Sequence, residues 1–123
     1  MTVIEAVNRI DSVKPNNYTQ ADKVTWLSQL DGRVKAEIID THEDAPVVNF
    51  SGYDKDTPLG TALLVPYPYD ELYPLWLEAR IDYANSEYTR YNNSMAMFNT
   101  AYADYERYYN RTHMPHGTNL RLF

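Results

Sequence analysis

The sequence predicts an all-α protein: a small helical bundle of about four helices, a long Pro-rich loop and an extended C-terminal tail. Three observations predict it. Apolar residues recur at helical spacing in three separate stretches. Two of those stretches are preceded by helix N-cap signals. Prolines and glycines gather in the one long segment, residues 40–69, that breaks every helical pattern.

The first helix starts at Thr2-Val3-Ile4-Glu5. Glu5 stands three residues after Thr2, the capping-box spacing. Val3, Ala6, Val7 and Ile10 form its apolar face. Pro15 disfavours helical geometry at Lys14, which predicts an end near Val13. Thr19 is the next N-cap candidate, with Asp22 in the first turn. Val24, Leu27, Leu30, Val34 and Ile38 then mark one face of a helix over 20–39. Trp26 lies off that stripe and should meet a different neighbour. Gly32 inside the run costs up to ~1 kcal/mol against alanine.

Residues 40–69 hold Pro46, Pro58, Pro66 and Pro68 with Gly52 and Gly60. Two apolar pieces, Val47–Phe50 and Ala62–Val65, must cover either their own core or a neighbouring chain.

Asp70 and Glu71 suit a helix start, and Pro74 is tolerated near a first turn. Leu77, Ile81, Ala84, Tyr88, Tyr91, Met95, Phe98, Tyr102, Tyr105 and Tyr109 then alternate steps of four and three, a heptad-type seam. One helix over residues 72–109 would be ~57 Å long. A compact chain of this size is only roughly 35 Å across. Either the rod breaks, or copies of the protein bury it together. The favoured break is Asn92-Asn93-Ser94, where Asn93 or Ser94 can cap a second helix.

Composition narrows the function classes. The chain has 123 residues, 44% apolar and 23% charged, enough for one domain and one core. It has no cysteine, which excludes disulfides and thiolate metal sites and suits a cytosolic or assembled-particle setting. No apolar run approaches the ~20 residues of a membrane span. The N-terminus lacks the apolar run of a signal peptide. The net charge of −6 argues against broad contact with nucleic acid. Residues 1–106 carry eight basic against seventeen acidic residues, a net −9, whereas 107–123 carry three arginines and no acid. An acidic body thus ends in a basic tail, either a frayed terminus or an arm for an acidic partner.

Catalytic signals are lacking. His113-Met114-Pro115-His116 is a poor metal pair, since Pro115 prevents a shared helical face. His42 follows a helix end, where it can meet the last carbonyls. Asp54-Lys55-Asp56 opens like a calcium loop but lacks its glycine and closing glutamate. The sequence therefore assigns no catalytic residue, cofactor or metal. Tyrosine stands out, at 12 of 123. Its apolar ring and polar tip suit half-wet helix seams, within one chain or between chains. The expected subunit interface is Tyr88, Tyr91, Met95, Phe98, Tyr102 and Tyr105.

Longer phrases carry a resemblance. They are Trp26-Leu27-Ser28-Gln29-Leu30-Asp31-Gly32, Pro68-Tyr69-Asp70-Glu71-Leu72-Tyr73, Ala84 through Asn93, Phe98-Asn99-Thr100-Ala101-Tyr102 and Tyr109 through Pro115. In these phrases, in length and in helix order the chain resembles the head–tail connector (adaptor) proteins of tailed phages and prophages of Gram-positive bacteria. The resemblance rests on local phrases, not on a chemical motif. It implies a non-enzymatic virion protein of the neck, forming a homo-oligomeric ring of about a dozen copies beneath the portal protein. DNA would be passing cargo in the lumen, no membrane would be involved, and another neck or tail protein would follow. By position, residues 1–110 match the helical connector domain and residues 111–123 the portal-docking arm, with Arg111, Leu120, Arg121, Leu122 and Phe123 as its anchors. The Pro- and Tyr-rich loop departs from that pattern, and its partner is unassigned. Two rivals stand beside this reading. One is a monomeric acidic helical inhibitor, against which the scatter of the acids counts. The other is a small hydrolase using Asp54, Asp56, His42 and a metal.

Overall fold

The computed structural model describes residues 1–42 and 46–113. Its helices are α1 (Val3–Val13), α2 (Gln20–Glu37), α3 (Leu72–Ala84) and α4 (Tyr88–Thr112), with a short 3-10 turn at Ile39–Thr41 after α2. The described residues are mostly helical, an all-α arrangement.

Both capping boxes form. The Thr2 hydroxyl accepts from Glu5 N at 3.3 Å while Thr2 N donates to the Glu5 carboxylate at 2.8 Å. Thr19 and Asp22 repeat this, both at 3.1 Å. Each box satisfies amide donors that a helix start leaves open. α1 buries Val3, Ala6, Val7 and Ile10 and ends at Val13, ahead of Pro15. α2 buries Val24, Leu27, Leu30 and Val34. It stops two residues short of the expected Ile39, where the chain tightens into the 3-10 turn. Trp26 does meet its own neighbours. Its carbonyl accepts from Trp76 Nε1 at 2.8 Å, and Tyr18 lies edge-on to its ring at 5.6 Å.

The loop between α2 and α3 divides in two. Val3 N donates to Thr61 O and Leu63 N to Met1 O, both at 3.0 Å, in a short antiparallel bridge. That bridge drives Leu63 and Val65 into the core, so the second apolar piece covers its own chain. In the first piece Val47 is 91% exposed.

The long seam does break, but not at Asn92-Asn93-Ser94. Those residues lie inside α4, and the break falls at residues 85–87. Ser86 there takes φ of 59°, a left-handed conformation that ends α3. Asn85 N bonds Ile81 O at 2.9 Å, and Glu87 N bonds Asp82 O at 2.9 Å. The result is an antiparallel hairpin in which α4 packs along α3. α4 reaches α2 only through long side chains, not by close backbone approach. Tyr102 Oη donates to Glu37 at 2.8 Å, and the Arg33 guanidinium sits 4.7 Å above the Tyr102 ring.

Candidate interaction surface at the hairpin tip

The expected interface residues separate along α4. Phe98 (0% exposed), Tyr102 (7%) and Tyr105 (2%) are sealed in the protomer's own core. They are core residues, a correction to their expected place in an intersubunit seam. The cause is the hairpin, which folds one half of the seam onto the other. Tyr88, Tyr91 and Met95 lie nearer the turn. Tyr88 is 58% exposed, while Tyr91 and Met95 are half-buried.

Around the turn the rings form a cluster. Tyr83, itself exposed, has its centroid 5.2 Å from Tyr91 and 6.1 Å from Tyr88. The Arg80 guanidinium carbon lies 5.1 Å from the Tyr83 centroid and 5.5 Å from that of Trp76. Trp76 in turn packs on Phe98 at 5.0 Å. A continuous ladder therefore runs from the core residue Phe98 through Trp76 and Arg80 to the exposed rings. Among the described residues Arg80 makes no ion pair, and its buried Nε has no hydrogen-bond partner. An unpaired guanidinium between aromatic faces, beside exposed tyrosines, has the composition of a protein-binding hot spot.

The tip is held in place from below. Asp82 is fully buried. Its Oδ2 accepts from Ser94 Oγ at 2.6 Å, and Lys14 Nζ stands 2.7 Å from its Oδ1. Tyr18 Oη donates to Asn85 Oδ1 at 2.6 Å. These bonds tie the turn to the α1–α2 connection. The backbone turn that carries the exposed rings is therefore anchored to the rest of the chain.

A second polar cluster is structural. Asp31 on α2 is fully buried and accepts from Tyr73 Oη at 2.6 Å, from Leu64 N at 3.0 Å and from Tyr53 Oη. Burial raises its pKa, against the lowering effect of those donors. Burial and the neighbouring carboxylate raise the pKa of Tyr53 and Tyr73 as well. The arrangement fastens the loop to α2 and α3.

The other candidates resolve locally. His42 is buried, with Nδ1 2.5 Å from Ile38 O and Nε2 2.7 Å from Asn110 Oδ1, so it closes the helix end and ties it to α4. Asp54 Oδ1 accepts from Asp56 N at 2.8 Å, which builds a polar turn. Among the described residues no group of three or more His, Cys, Asp or Glu side chains could hold a metal ion. Arg111, assigned to the arm from sequence, lies exposed in the last turn of α4. Leu120, Arg121, Leu122 and Phe123 lie outside the described residues. No helix among the described residues is long and apolar enough to cross a membrane.

Sequence reasoning missed Arg80, although the signal was present. Trp76, Arg80 and Tyr83 follow steps of four and three, which places them on one helix face. Compared with protein-family models, curated proteins and solved structures, the chain matches none.

Proposed function

We propose that this chain is a non-enzymatic assembly protein that docks through the tip of its long hairpin, in the manner of a phage head–tail connector. The single observation that carries the assembly reading is the unpaired Arg80 set among Trp76, Tyr83, Tyr88 and Tyr91 on a braced turn. Tyr, Trp and Arg dominate binding energy in protein interfaces, at ~2 kcal/mol or more each where they act as anchors.

The connector assignment rests on the resemblance of the sequence phrases and on charge. A body of net −9 over residues 1–106 suits the wall of a channel through which DNA passes unheld, because like charges repel. In this reading the chain belongs to the virion neck. It forms a ring beneath the portal protein, and the basic arm from Arg111 to Phe123 grips the portal. Tyr88, Tyr91 and Met95, joined by Arg80 and Tyr83, contact the neighbouring subunit.

The test mixes the purified chain with portal oligomers from the same genome and reads the product by native mass spectrometry and negative-stain microscopy. A ring on the portal is expected. Arg80→Ala and the double variant Tyr88→Ala/Tyr91→Ala should each reduce its yield at least tenfold, with helical circular dichroism unchanged. A chain that stays monomeric both alone and with portal overturns the connector reading. Tip variants that assemble like the parent overturn the tip as its contact.

A further inference from the structure

The outer side of α4 presents a second surface that the tip does not use. Residues 91–103 contain no Lys, Arg, Asp or Glu, in a protein that is 23% charged overall. Asn93, Ala96, Met97 and Thr100 within this stretch are exposed, Met97 at 59%. Charged residues bound it on either side. Arg90 lies seven residues before Met97 and Asp104 seven after. Seven residues turn a helix by two turns less ~20°, so all three side chains share one side of α4. The side chains of Arg90 and Asp104 are 67% and 50% exposed.

This spacing is symmetric about Met97. We propose that two copies of the chain pack α4 against α4, antiparallel, about a two-fold axis at Met97. Antiparallel order brings Arg90 of each copy opposite Asp104 of the other, ~10 Å to either side of the axis. It also sets Asn93 beside the other copy's Thr100, where their polar side chains can bond. Parallel order would instead set Arg90 on Arg90 and Asp104 on Asp104. A second copy fits this face for a further reason. The acidic bodies repel one another, and the stretch free of charge is where two copies approach without that repulsion. The end charges already have partners within the chain, Arg90 with Glu87 at 3.2 Å and Asp104 with Arg107. A contact one helix long falls short of a standard interface of ~1,600 Å², so the dimer is weak and concentration-dependent.

The inference stands apart from the connector reading, because the copies meet face to face and no portal is needed. The isolated full chain is therefore the right sample. Sedimentation should show reversible dimerisation at high micromolar concentration. Arg90→Asp and Asp104→Arg should each weaken the dimer about tenfold, since each places like charges opposite one another at two sites. The double variant Arg90→Asp/Asp104→Arg should restore it. A merely structural role for these residues predicts no such rescue, because the double variant disrupts both pairs within the chain. The absence of native cysteine makes crosslinking clean. Met97→Cys should form a disulfide dimer under mild oxidation, and Asn99→Cys, exposed on the far side of the helix, should not. A monomer at every concentration, no rescue by the double variant, or equal crosslinking at both positions would each overturn the proposal.

Discussion

The two ends of the α3–α4 hairpin use the same chemistry to different effect. At the base, Phe98, Tyr102, Tyr105 and Tyr109 on α4 are buried. Tyr69 of the loop stacks on Tyr108 there at 4.7 Å and lies 5.7 Å from Tyr105. Arg33 and Glu37 of α2 meet Tyr102, His42 lies edge-on to Tyr109, and Trp76 of α3 packs on Phe98. At the tip, Tyr83 and Tyr88 belong to the same helical region yet stay exposed. The difference is one of cover. α3 has 13 residues and α4 has 25, so α4 extends beyond α3 at the base and gathers cover from α2 and the loop. The α1–α2 connection reaches the tip through Tyr18 and Lys14, and leaves the ring cluster open. An amphipathic repeat thus reports that a face seeks burial, not which chain provides it.

The largest test of this contrast sets base against tip. Phe98→Ala should lose about 3–5 kcal/mol of stability in urea unfolding, the usual cost of emptying a core aromatic site. Tyr88→Ala should stay within about 0.5 kcal/mol, the usual range for an exposed side chain. Equal losses at both positions would make the tip part of the core.

Asp31 tests what holds the base closed. Asp31→Ala leaves the Tyr73 hydroxyl and the Leu64 amide without their acceptor. It should cost roughly 3 kcal/mol, since buried donors left unpaired lose ~1–3 kcal/mol each. The same site sets a pH dependence. The pKa of Asp31 is raised on folding, so its contribution is fully present below the unfolded carboxylate value and is lost as pH rises through the folded one. Asp31→Asn should remove that acid-side slope from a plot of stability against pH. At the alkaline end Tyr53, Tyr73, Tyr102 and Tyr105 are all raised, first of all by burial. Their contribution is present below the usual tyrosine value of ~10 and is lost as pH climbs above it. Their tyrosinate absorbance should appear together with loss of helix, not before it.

A small effect of the opposite sign is expected at Gly32. A Cβ built there meets nothing within 4 Å. Gly32→Ala should raise the melting temperature, with a gain of about 0.5–1 kcal/mol from helix propensity and a less flexible unfolded chain. It should leave tip and base equally intact.

Much of the fold was legible because its signals are local. Thr2 with Glu5, Thr19 with Asp22, and Pro15 act within one turn of the backbone, and the starts of α1 and α2 and the end of α1 follow from them. The turn of the hairpin was harder to read. Asn92-Asn93-Ser94 looks like a break by propensity, but Ser94 donates to buried Asp82 and the helix runs through. The true break, at residues 85–87, depends on a left-handed Ser86 and on Asp82 accepting from Glu87 N through its backbone. Asp31 was legible in principle, since it sits four residues after Leu27 and three before Val34 on the buried face. Its partners Tyr53, Leu64 and Tyr73 come from far along the chain, and no spacing rule joins them.

The amino-acid order alone therefore determined the all-α class, the capped starts of α1 and α2, an acidic body and a run of aromatic residues in need of cover, because each depends on composition or on neighbours a few positions away. Only the tertiary structure decided which of those aromatics were covered. That choice turns on where the hairpin bends and on what α2 and the loop can reach, and both are set by contacts between residues distant in sequence.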